Sequence, residues 1–159
     1  MNYLLMIGAL LIVILYSIWT SYSEAKIKYM KRRDSNVNQM VEKGYTVSKR
    51  WDCNAITIFI DKKKRVLCFI LFGWRKDTVY EIPIDTINSM ETYSVGFVKR
   101  SKIRHLVTEV AIKFDTQKGE YILRTLYLKG LGVLKTSSYA IYGEKCAKEI
   151  CDYVNQLKK

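Results

Sequence analysis

The chain has 159 residues, with 27 Lys and Arg against 15 Asp and Glu and a formal net charge of +12. Its apolar share of 49% excludes a wholly disordered chain, and eight Gly with one Pro exclude collagen-like and Pro/Gly-rich classes. Every Asp, Glu, Lys, Arg and His follows residue 23, so an apolar tail precedes an ordinarily charged surface.

From Tyr3 to Trp19 only Gly8 and Ser17 are not apolar. As a helix this run rises ~26 Å, and from Asn2 to Tyr22 it rises ~31 Å, against a hydrocarbon core ~30 Å thick. Leu4, Leu5, Ile7, Leu10, Leu11, Ile12, Val13, Ile14 and Leu15 leave no polar face, so residues 1–23 are expected to form a transmembrane helix. Tyr3 at one end and Tyr16, Trp19 and Tyr22 at the other suit the two headgroup levels. A cleaved signal peptide with an exported domain is the alternative, since Ser23-Glu24-Ala25 resembles a cleavage site. Against it, no Lys or Arg precedes the run, and the run exceeds the usual h-region.

Lys26, Lys28, Lys31, Arg32 and Arg33 follow the tail at once. By the positive-inside rule this collar puts the N-terminus outside and residues 24–159 in the cytoplasm, as a single-pass protein of the cell membrane. Residues 24–43 carry Ile27, Met30, Val37, Met40 and Val41 at helical spacings, which predicts a juxtamembrane helix, broken near Asp34-Ser35-Asn36 and ending at Gly44. The lipid bilayer is thus the first expected partner.

After Gly44 the period becomes two. Tyr45–Trp51 is the first expected strand. Ile56–Ile60 and Val66–Phe72 alternate around Asp61-Lys62-Lys63-Lys64-Arg65, which predicts a hairpin over 54–72. Strand-like runs follow at 78–82, 86–95, 106–115 and 121–129, giving seven strands, with Gln117-Lys118-Gly119-Glu120 a tight turn. Pro83 ends or edges the fourth strand because it has no N–H for a ladder. Ser137 or Ser138 then caps a helix over 139–157 with Cys146, Ala147, Ile150, Cys151, Val154 and Leu157 along one stripe. The fold class is mainly β with helices: residues 44–159 form a β domain plugged by the C-terminal helix.

Several segments of this domain carry a resemblance. Gly44-Tyr45-Thr46-Val47-Ser48-Lys49, then Ile58-Phe59-Ile60-Asp61 before a basic turn, then the stretch Tyr80 to Glu91, and finally Ser137-Ser138-Tyr139 with Ala147, Ile150 and Leu157, together resemble the bacterial pleckstrin-homology-like domains. The resemblance covers residues 45–159 and implies a seven-stranded, partly open barrel capped by the C-terminal helix. Some relatives carry a Gly-rich apolar insertion after the acidic strand, whereas here Ser94-Val95-Gly96 runs straight into Phe97-Val98-Lys99. The resemblance implies no activity.

Catalytic signatures are missing from the sequence. There is no phosphate-binding Gly loop and no Gly-x-Ser-x-Gly, and His105 is the only histidine. Cys53, Cys68, Cys146 and Cys151 form no C-x-x-C pair, which argues against zinc and fits reduced, buried thiols in the cytoplasm. No catalytic, cofactor-binding or metal-ligating residue is assigned, and no cofactor is expected.

The remaining signal is basic. Lys62, Lys63, Lys64 and Arg65 crowd one turn, and Lys99, Arg100, Lys102 and Arg104 crowd a loop. With the collar they are candidates for contact with an anionic membrane surface. Nucleic acid is disfavoured because aromatic residues do not interleave with these clusters, Phe97 excepted. The sequence therefore points to a membrane-anchored, non-enzymatic module binding an unidentified protein partner, with electrostatic docking of the basic loops on lipid as the alternative.

Overall fold

The computed structural model describes residues 2–53, 56–73, 76–99, 104–128 and 132–159, with only the backbone at 2–6, 9, 98, 99 and 104. It divides into two compact units, residues 1–44 and 45–159.

The first unit is one helix, α1 (Asn2–Glu42). It runs unbroken through Asp34-Ser35-Asn36, where a break was expected. Those residues disfavour helix by only a few tenths of a kcal/mol each, less than the cooperative gain of extending an existing helix. Its end is set at Gly44, whose φ of 83° lies in the left-handed region and whose N–H donates to the Val41 carbonyl at 2.9 Å.

The expected transmembrane helix is corrected: among the described residues no helix is long and apolar enough to cross a membrane. The side chains of 1–6 and 9, part of the expected span, lie outside the described residues. From Leu10 the apolar run reaches Trp19, a rise of about 15 Å, before Thr20, Ser21, Ser23, Glu24 and Lys26 dilute it. Leu10, Ile12, Val13, Leu15, Tyr16 and Trp19 are all exposed, on every side of the helix.

The second unit is β-rich. Strands β1 (Lys49–Cys53), β2 (Ile56–Asp61), β3 (Val66–Leu71) and β4 (Thr78–Pro83) make one antiparallel sheet in that order. A single 3-10 turn, Ile84–Thr86, leads into β5 (Ile87–Lys99), β6 (Arg104–Thr116) and β7 (Gly119–Tyr127). These three form the second sheet, with β8 (Val133–Leu134) pairing to β6 beyond the end of β7.

The seven-stranded, partly open barrel is therefore corrected to two separate four-stranded sheets, with no closed barrel among the described residues. The physical reason lies at the corner. Pro83 ends β4 without a ladder N–H, and the 3-10 turn carries the chain away from the first sheet. β5 and β6 then pair over most of their thirteen residues each, which commits β5 to a new sheet. β8 was missed because two residues carry no readable period.

The sheets and α2 (Ser138–Lys158) share one core. Ser137 caps α2, its hydroxyl accepting from the Ala140 N–H at 3.3 Å. Ala140, Gly143, Cys146, Ala147, Ile150 and Val154 form the buried stripe, against Ile58, Leu67, Ile112, Phe114 and Leu123 from the sheets. A Cβ on Gly143 would come within 3.0 Å of the Leu126 Cβ, so helix and β7 meet at glycine distance. The buried Thr125 hydroxyl donates to the Gly143 carbonyl at 2.9 Å and fixes that approach.

Ile150 is wholly buried. Ile150→Ala should lower unfolding free energy by about 2–4 kcal/mol, read as a drop in the urea midpoint, whereas exposed Lys145→Ala should stay within about 0.5 kcal/mol.

Candidate binding groove and the basic surface

β5 is an edge strand, paired on one side only among the described residues. Along that edge lies a groove of about 390 Å³ whose walls are Thr92, Tyr93 and Ser94 of β5, Val110 of β6, and Glu144 and Lys148 of α2. The helix is held beside the strand by Lys158, whose ammonium donates to the Ile87 carbonyl at 2.7 Å. The Tyr93 hydroxyl donates to Glu109 at 3.2 Å, and Arg124 donates to the same carboxylate oxygen at 3.0 Å. Burial and then the Glu109 charge push the Tyr93 phenol up, so it stays a neutral donor at neutral pH. The groove thus offers a strand edge, an apolar floor at Val110, and one charge of each sign.

The basic candidates fall into distinct environments. Lys26, Lys28, Lys31 and Arg32 are exposed on α1, but Arg33 is buried and donates to the Tyr29 hydroxyl at 2.9 Å. In the β2–β3 turn, Lys62 and Lys63 are exposed, while Lys64 lies over the Tyr45 ring at 3.8 Å. Arg65 holds Asp85 in a two-pronged pair at 2.7–3.1 Å. Lys99 and Arg104 face each other across the β5–β6 ladder, and Arg100 and Lys102 lie outside the described residues.

Asp61 organises the turn. It is fully buried, and its carboxylate accepts from the Thr46 N–H at 2.8 Å and the Lys64 N–H at 2.9 Å. Burial pushes this carboxyl up, but the N–H groups of Lys64, Thr46 and Lys63 outweigh it and hold the group below its ordinary range. An Asp preceding a run of lysines read only as a polar turn. Its partner Thr46 lies fifteen residues away, which no local pattern signals.

The thiols also differ from expectation. Cys53, Cys68 and Cys146 are buried and Cys151 is half-buried, and none of the four is disulfide-bonded. Burial pushes Cys68 up to about 12 and Cys151 up to about 11. Cys146 goes the other way. A hydrogen bond from Cys53 outweighs burial, Tyr142 adds to it, and the thiol is pulled down to about 7. The only histidine, His105, is exposed in β6, in the other sheet from Cys53 and Cys68.

Two measurements follow. Asp61 titrates lower folded than unfolded, so its contribution is complete above about pH 4 and is lost as pH falls through the lower folded value. Asp61→Asn should lower stability by about 2 kcal/mol at pH 7 and flatten the acid limb of a stability–pH curve. An unchanged acid limb would refute the role. For Cys146, thiolate absorbance at 240 nm should show one group ionising near pH 7, and the step should vanish in Cys146→Ser.

Compared with known proteins, the chain matches no family model, no curated protein and no solved structure, so nothing in these comparisons identifies a pleckstrin-homology-like domain.

Proposed function

We propose that the protein is a non-enzymatic binding module working at a membrane, which holds an extended segment of a protein partner along β5 beside α2. The observation that carries this is the open edge of β5 lying in a groove walled by α2. An edge strand presents unpaired N–H and C=O groups that an added strand satisfies, and a flanking groove reads alternate side chains of that strand. Glu144 and Lys148 supply charge recognition at the wall.

Membrane association is supported by α1, whose exposed Leu10, Ile12, Val13 and Leu15 need apolar cover that water does not give. Residues 24–159 are assigned to the cytoplasmic face. Four thiols outside any disulfide suit a reducing compartment, and the exposed Lys26, Lys28, Lys31 and Arg32 suit anionic headgroups.

Photo-crosslinking in the native host tests the groove. A benzophenone side chain placed at Thr92 should give a discrete protein adduct, and one at Lys118, in the β6–β7 turn, should not. Lys148→Glu should abolish the Thr92 adduct. Equal labelling from both positions would sink the groove reading. Fractionation tests the membrane separately: the full chain should stay with membranes through a high-salt wash and be released by detergent.

A further inference from the structure

Cys53 and Cys146 lie far apart in the chain and meet in the core because of how α2 packs on β1. Residues two apart on a strand share a face, so Trp51 and Cys53 point the same way, and both are buried. Residues three, four and seven apart share a helix face, so Cys146, Glu149, Ile150 and Tyr153 line one side of α2. These two faces meet. The Trp51 indole donates to Glu149 at 3.1 Å, and its ring stands edge-on to Tyr153 at 5.9 Å. From Trp51 to Cys53 is ~7 Å of strand, and from Glu149 and Tyr153 back to Cys146 is ~5–10 Å of helix. The same register therefore sets Cys53 against Cys146, and the Cys53 thiol donates to the Cys146 sulfur. One turn earlier on α2 the Tyr142 hydroxyl lies against that sulfur and donates to the Asp52 carbonyl at 3.3 Å. Contacts on both sides thus hold the two thiols together.

The four cysteines are not chemically alike. At Cys146 the Cys53 and Tyr142 donors, with Lys145, outweigh burial and the Glu149 charge, which favours the nucleophilic thiolate near neutral pH. Burial pushes Cys68 and Cys151 the other way, aided by Glu81 and Asp61 at Cys68 and by Asp152 at Cys151. Cys146 is buried, but Tyr142, whose hydroxyl touches it, is 50% exposed.

We propose that Cys53 and Cys146 are a peroxide-sensitive redox pair whose disulfide ties α2 to β1. Rotation of Tyr142 admits hydrogen peroxide to Cys146. The Cys146 thiolate attacks one peroxide oxygen, the O–O bond breaks, and the departing hydroxide takes up a proton as water. Cys53 then attacks the sulfur of the Cys146 sulfenic acid, the S–O bond breaks, and a second water leaves with the Cys53 proton. The two sulfurs lose the two electrons that peroxide gains. A dithiol returns them by thiol–disulfide exchange and restores both thiols. Glu144 and Lys148 of the groove wall stand two residues to either side of Cys146, so the bond fixes the element that forms that wall. The inference goes beyond the binding reading and does not rest on it.

The test treats the reduced full chain with hydrogen peroxide, stops the reaction with catalase, blocks the remaining thiols and maps tryptic peptides without reduction. A peptide pair joining Cys53 to Cys146 should dominate and disappear with dithiothreitol. The urea midpoint of the oxidised chain should rise by about 1–2 M and return on reduction. In Cys53→Ala, dimedone should trap a sulfenic acid at Cys146, and Cys151→Ser should keep the link between 53 and 146. Because the first readout uses the unaltered chain, a variant that folds poorly does not decide the matter. No link in the folded chain, a dominant link from Cys146 to Cys151, or the same preference for 53–146 in denaturing urea would each overturn the proposal.

Discussion

The approach of α2 to β7 and β6 at Gly143 is the constraint from which the rest of the β unit follows. Two open sheets leave an apolar interior that neither can close alone, and burying it requires a third element lying almost on their backbones. A Cβ at Gly143 would press on the Leu126 Cβ at 3.0 Å, and Ala140 and Ala147, one helical turn away on either side, keep the approach close. Farther along, Ile150 and Val154 fill the wider space. Thr125 and Lys158 hold the helix to β7 and to the start of β5 respectively. The width of the groove beside β5 is therefore set by core packing and not by the groove residues themselves. A partner meets a slot whose dimensions are already fixed, which lowers the ordering penalty of binding.

Much of this was legible from periodicity. The α2 stripe, the Ser137 cap and the β2–β3 hairpin are local patterns, and local patterns survive into the fold. The division into two sheets was not legible, because it depends on how Pro83 and three following residues turn the chain in space. β2 reads as an alternating strand but is buried on both faces, with Tyr45 packed edge-on to Phe59. Glu149, off the apolar stripe of α2, accepts from the Trp51 indole at 3.1 Å, 98 residues away, which no local pattern signals. The apolar tail was the reverse case. It looked decisive as a sequence, yet the described helix is not long and apolar enough to span a membrane. Of a binding site, the sequence offered only the expectation of an unidentified protein partner. The particular meeting of Thr92–Ser94 with Glu144 and Lys148 is a product of topology.

A net charge of +12 does not act as one field. Some cations are committed to a partner, such as Arg33 to Tyr29, Arg50 to Asp52 and Arg124 to Glu109. Others stand free of the body, such as Lys62 and Lys63. The distinction matters because a screened surface cation contributes mainly to encounter, whereas a cation bound to a carboxylate holds geometry.

Arg65 shows how tightly one position can be bound by opposite demands. It is the one non-glycine residue with positive φ among the described residues, at 53°, a conformation that glycine adopts more easily. Yet its carbonyl accepts from the Ile84 N–H at 2.8 Å and its guanidinium clasps Asp85, both in the turn where the chain leaves one sheet for the other. Drift toward glycine would ease the backbone but lose the clasp on Asp85, and drift at Asp85 would leave the strain without its compensation. Positions 65 and 85 are thus expected to change together or not at all as related sequences diverge. Lys62 and Lys63, three and two residues away in the same basic run, are free to wander.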